Sequence, residues 1–83
     1  MYQIIYYYKE TIGKTVKEQI MEGTMFRLRR NALHYLLEIV QNDYRKEGYG
    51  TEPIVGGINC YKSEKTEEGN RKVIEEIIKV EKI

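Results

Sequence analysis

Along the chain, apolar and polar positions set out one long stretch with a helical period. Between Thr24 and Glu47, Met25, Leu28, Ala32, Tyr35, Leu36, Ile39 and Val40 recur every three or four residues, the spacing of one helix face. Phe26, Leu33, Leu37 and Tyr44 widen that face to an arc of roughly 200°, more than a helix needs to lie on one sheet. Arg27, Arg30, Asn31, His34, Glu38, Gln41 and Asn42 fill the opposite arc. Thr24 fits an N-cap, and Gly48 fits the stop after Arg45 and Lys46 in the last turn.

Arg29 falls inside the apolar arc, where an unpaired charge is costly to bury. Three arrangements relieve it: a first turn that overhangs the core, a carboxylate partner, or a short strand over residues 25–30. In the last case Phe26 and Leu28 face inward and Asn31 caps a shorter helix. The long helix is the expectation, because Met, Leu and Arg are good helix formers. The excess apolar flank makes Phe26, Leu37 and Tyr44, with Arg29, the expected interface with a second copy of the chain.

Residues 2–8 alternate in a Tyr- and Ile-rich run that predicts a strand. Tyr2, Ile4, Tyr6 and Tyr8 share the face expected to meet the core, and Gln3, Ile5, Tyr7 and Lys9 share the other. A turn at Gly13 leads into a second strand over Thr15–Met21, with Val16 and Ile20 expected inward. Ile54–Lys62 predicts a third strand, loosened at Gly56 and Gly57, and Ser63–Asn70 reads as a loop. Arg71–Ile83 fits either a strand or a helix, and its six apolar residues, all β-branched, favour the strand. The sum is a small α+β single domain over residues 1–83, ordered ββαββ, with one central helix packed on an antiparallel sheet.

Charge narrows the partners. Fourteen basic and thirteen acidic residues leave a formal charge of +1, less basic than chains that bind chiefly through phosphate neutralisation. Cys60 is the single cysteine, which suits a reducing, cytoplasmic setting. The run at residues 2–8 is too short for a secretory leader, and no apolar run approaches the roughly 20 residues that span a bilayer. A soluble protein with no membrane partner is expected.

Candidate chemistry is sparse. Gly13-Lys14-Thr15 imitates the end of a phosphate-binding loop, but the glycine required five positions before Gly13 is Tyr8. One His and one Cys cannot make a zinc site within one chain, and Cys60 on an inward strand face reads as a small core residue. Adjacent carboxylates such as Glu75 and Glu76 point apart on a strand. No catalytic residue, metal site or cofactor is expected.

Binding is better supplied with candidates. Arg27 and Arg30, spaced as neighbours on a helix, form with Lys14, Lys17 and Arg29 the one basic patch. Eight tyrosines without a tryptophan include Tyr7 and Tyr61, expected on the outward face of the sheet, and Tyr49 in a glycine-flanked loop. Exposed tyrosines anchor protein interfaces and stack nucleic-acid bases. The expectation is a non-enzymatic protein acting through protein–protein contact as a homodimer, of the kind that serves as an inhibitor or accessory protein of a virus or mobile element. The alternative is a nucleic-acid or nucleotide-binding module using Arg27, Arg30 and the exposed tyrosines.

Overall fold

A computed structural model describes all 83 residues. Five strands form one antiparallel sheet: β1 (Tyr2–Ile12), β2 (Thr15–Phe26), β3 (Gly50–Ile54), β4 (Gly57–Thr66) and β5 (Gly69–Lys82). One helix, α1 (Arg29–Ile39), continues through a wide π turn (Val40–Tyr44) and a 3₁₀ turn (Arg45–Glu47). The strands lie in the order β2-β1-β5-β4-β3. The α+β class, the single helix on an antiparallel sheet and the C-terminal strand are as the sequence predicts.

Three boundaries differ, each for a backbone reason. The chain stays extended through Met25 and Phe26, because β2 pairs with β1 as far as the Tyr2–Phe26 register. Those strand bonds prevail over the helix propensity of residues 25–28. Leu28 is the N-cap, extended at φ −109° and ψ 133°, with its carbonyl accepting from the Asn31 and Ala32 amides. Neither Thr24 nor Asn31 caps the helix. Arg29 opens the first turn and is exposed, so the conflict in the apolar arc disappears, and most of the excess apolar flank goes with it.

The second difference is an additional strand. Gly50–Ile54 pairs with β4 through a turn at Val55 and Gly56, so the order is ββαβββ. The third lies at residues 63–70, where β4 and β5 continue as a hairpin beyond a register shift at Lys62/Ser63; the expected loop shrinks to a turn around Glu67 and Glu68.

The core lies between α1 and the facing side of the sheet. Ala32, Leu36 and Val40 recur at i+4 and bury against Ile4, Cys60 and Ile78. Tyr2, Tyr6, Phe26, Tyr35 and Tyr44 pack around this cluster. At the β4–β5 crossing the backbones approach so closely that a Cβ on Gly57 would sit 2.1 Å from the Ile78 carbonyl oxygen, so only glycine fits. The protein is elongated, 46 × 23 × 19 Å. At about 1.5 Å per residue α1 spans only about 16 Å, so the far ends of the β1–β2 and β4–β5 hairpins project beyond it. No helix is long and apolar enough to cross a membrane.

Candidate functional site

The sheet has a helix on one side only. Strand alternation and register arrange the opposite side in rows that cross all five strands. The middle row runs Ile20, Tyr7, Ile77, Asn59, Glu52. One neighbouring row is Glu22, Ile5, Lys79, Gly57, Ile54, and the other is Glu18, Lys9, Glu75, Tyr61, Gly50. The centre of this face is therefore apolar towards β2 and polar towards β3, between two rows rich in charge.

Tyr7 and Tyr61 lie on this outward face, as the alternation predicts. The Tyr7 hydroxyl donates to Glu81, a bond that pushes its pKa up, and the Lys79 ammonium stands 5.8 Å from the ring centre. Tyr61 carries the Lys72 ammonium 4.6 Å above its ring. Its ring lies against Gly50, where a Cβ would come within 2.6 Å of it. Lys72 also pairs with Glu52, holding that carboxyl below its usual range and its own ammonium above. Val73 is skipped in the pairing between Lys62–Ile74 and Ser63–Lys72, and this bulge turns Lys72 towards Tyr61.

Asn59 ties the polar half together. Its Nδ2 donates to Glu52 Oε1 at 3.2 Å and Glu75 Oε1 at 3.1 Å, while its Oδ1 is enclosed without a partner. The side chain is only 5% exposed, although no second layer covers it; its neighbours on the sheet enclose it. Nothing in the sequence beyond its strand position marks Asn59, Glu52 or Lys72.

The apolar half runs out to β2, an edge strand. Val16 (50% exposed), Ile20 (67%) and Met25 (47%) line it, whereas Met21 pairs with Tyr6 on the helix side. Val16 and Ile20 pair with Thr11 and Tyr7 on the outward face, not inward as expected. The two-residue turn at Gly13 and Lys14 fixes that register. Gly13 adopts φ 60° and no other residue type has positive φ, the pattern of a II′ hairpin turn.

The remaining sequence-predicted residues lie elsewhere. Tyr49 is not a free loop tip: it packs edge-on against Tyr44 at 5.2 Å, under the Lys62 ammonium. Burial and a 2.7 Å bond to Glu76 push the Tyr44 phenol well up. Phe26 packs on Tyr35 at 5.2 Å. Leu37 is 56% exposed beside β3. Arg27 precedes the helix in the bend after β2, so it is not a helical neighbour of Arg30. Lys17 lies nine residues back along β2 from Phe26, about 30 Å away, so Lys14 and Lys17 do not join the arginines. Cys60 is fully buried, its thiol pushed up to about 11 by burial and then by Glu76. His34 is exposed, 3.5 Å from Glu38. Comparison with protein families, curated proteins and solved structures finds no match to this chain.

Proposed function

We propose that this chain is a small non-enzymatic interaction protein that acts through protein–protein contact, and that it does so as a homodimer joined at β2 and the adjoining apolar half of the uncovered sheet face. One observation carries this. The two edges of the sheet differ in kind. β3 is five residues long and contains Pro53, the ordinary means of blunting an edge. β2 is twelve residues long without proline, and its backbone groups on the outer side have no partner strand. Its exposed Ile20 continues into Tyr7 and Ile77, with exposed Val16 on the same face, so a paired strand would extend the sheet and cover apolar surface together.

Charge favours a protein over a nucleic acid here. Glu18, Glu22, Glu52, Glu75 and Glu81 outnumber Lys9, Lys72 and Lys79 on the face with Tyr7 and Tyr61, and an excess of carboxylates disfavours phosphate. Arg30 belongs to α1, on the other side of the sheet. A protonated, enclosed Cys60 is a poor nucleophile, and Glu75 and Glu76 stand on opposite faces, in keeping with a non-enzymatic role. A lone cysteine held reduced in the core fits a cytoplasmic setting.

Ile20→Lys tests the proposal, since Ile20 is mostly exposed and a charge there leaves the core intact. The unaltered protein is expected to sediment with twice the 9.9 kDa mass of one chain, and the variant as a monomer with an unchanged circular dichroism spectrum. A strict monomer for the unaltered chain at about 100 μM, meaning a dissociation constant above about 100 μM, would overturn the homodimer.

A further inference from the structure

A second surface, distinct from the uncovered sheet face, lies between the helix and β3. It is an open groove of about 520 Å³ with Leu37, Val40 and Ile58 as its apolar floor. Arg45, Gln41 and Thr51 stand over one end. The wide π turn at Val40–Tyr44 brings Arg45 into position there, an insertion of the kind that recurs at functional sites. Arg45 donates from Nη2 to Thr51 Oγ1 at 3.1 Å and from Nη1 to Gln41 Oε1 at 3.4 Å. Both acceptors are neutral. The ion pairs of the chain are His34–Glu38, Glu64–Arg71 and Glu52–Lys72, so the Arg45 guanidinium has no carboxylate partner and keeps N–H groups free.

The other end of the groove holds the His34–Glu38 pair. Seven residues separate Glu38 from Arg45, about 10 Å along a helix, so one end is acidic and the other cationic. Leu37, 56% exposed, is the large apolar side chain that α1 turns away from the core and into this groove. We infer that the groove binds a peptide segment of a partner protein, taking an apolar side chain over Leu37, Val40 and Ile58 while Arg45 pairs with a carboxylate on the adjacent residue. The groove is open rather than enclosed, and a small ligand would remain largely exposed in it. A peptide fits such a trough, and Glu38 at the rim disfavours a polyanion.

The probe is an acetylated, amidated tetrapeptide, Gly-Leu-Asp-Gly, compared with Gly-Leu-Asn-Gly and read by backbone amide shifts of the ¹⁵N-labelled protein. The Asp peptide is expected to shift Leu37, Gln41, Arg45, Thr51 and Ile58, with a millimolar Kd. The Asn peptide is expected to bind about three- to fivefold more weakly, the scale of one exposed ion pair. Arg45→Gln should erase that difference and Arg45→Lys should retain part of it, whereas Leu37→Ala should weaken both peptides alike. Three results overturn the inference: equal binding of the two peptides, a charge preference that survives in Arg45→Gln, or no shifts around the groove at about 10 mM peptide. Ile20→Lys should leave peptide binding unchanged, so the groove and the β2 interface succeed or fail separately.

Discussion

Replacing Asn59 by aspartate alters a single side-chain group at the one buried polar residue of the sheet, and its consequence can be worked from two distances. The Nδ2 atom lies 3.2 Å from Glu52 Oε1 and 3.1 Å from Glu75 Oε1. With an ionised oxygen in its place, each contact becomes a like-charge pair costing about 5 kcal/mol at an effective dielectric of about 20. The Lys72 ammonium beside Glu52 offsets part of one. Keeping the new carboxyl protonated is cheaper. For a group with an unfolded pKa of about 3.9, that costs about 4 kcal/mol at pH 7. The acid also supplies one donor where the amide supplied two, a loss of about 1 kcal/mol.

The expected penalty of Asn59→Asp at neutral pH is therefore about 4–5 kcal/mol, the protonation cost setting most of it. Its sign with pH follows from a folded pKa raised above the unfolded one. Between the two values the folded state holds a proton that the unfolded state has lost, so stability falls by about 1.4 kcal/mol per unit as pH rises through that window. Below about pH 4 only the lost donor remains, about 1 kcal/mol. Urea unfolding of both proteins at about pH 4.5 and pH 7 measures this, and the difference between them cancels titrations common to both. A penalty below about 1 kcal/mol at pH 7, or one equal at both pH values, would refute the geometry assigned to Asn59.

Two further outcomes test the helix side of the sheet. Leu36 is 2% exposed at the centre of the core cluster, so Leu36→Ala should lower the urea-unfolding free energy by about 2–5 kcal/mol; a change under 1 kcal/mol would place the core elsewhere. The Tyr8 phenol is pushed up to about 12 by its bond to Glu10, and Tyr44 higher still by burial and then Glu76. Folding raises these pKa values, so their stabilising effect is complete below about pH 10 and lost as pH climbs through the folded values. Phenolate absorbance near 295 nm should therefore lag in the folded protein relative to urea-unfolded chain, and superimposable titrations would contradict both bonds.

The legible part of the fold was written in local pattern. Alternation over residues 2–8 set the correct face of β1 towards the core, and β-branched residues after Arg71 selected a strand. The start of the helix was not legible, because residues 25–28 favour a helix locally while Met25 and Phe26 are held extended by pairing with Gln3 and Tyr2, far away in sequence, and the helix can begin only after them. The fifth strand was hidden by composition. Gly50–Ile54 holds a glycine and a proline, both poor strand formers, and is held in the sheet by its register with β4 rather than by its own propensity.

The tyrosines show why a binding surface is harder to read than a core. Tyr6, Tyr7 and Tyr8 are consecutive, yet alternation sends Tyr7 to the uncovered face and its neighbours to the helix side, where Tyr6 packs on the core. Propensity treats all three alike; only the parity of the strand separates them. Tyr44 and Tyr49 defeat parity as well, since their T-shaped contact depends on the π turn and on Gly48, which closes the helical segment at φ 85°. The polar row was the least legible feature. Asn59, Glu52 and Glu75 come from three strands and meet only after two registers and a bulge are fixed. Exposure on β2 follows the same logic: Ile20 looks like a core residue until the turn at Gly13 assigns it to the face that no helix covers. A residue's chemistry is read from its type, but its side of the sheet is set by turns, and in this protein the turns decide which apolar residues are left for a partner.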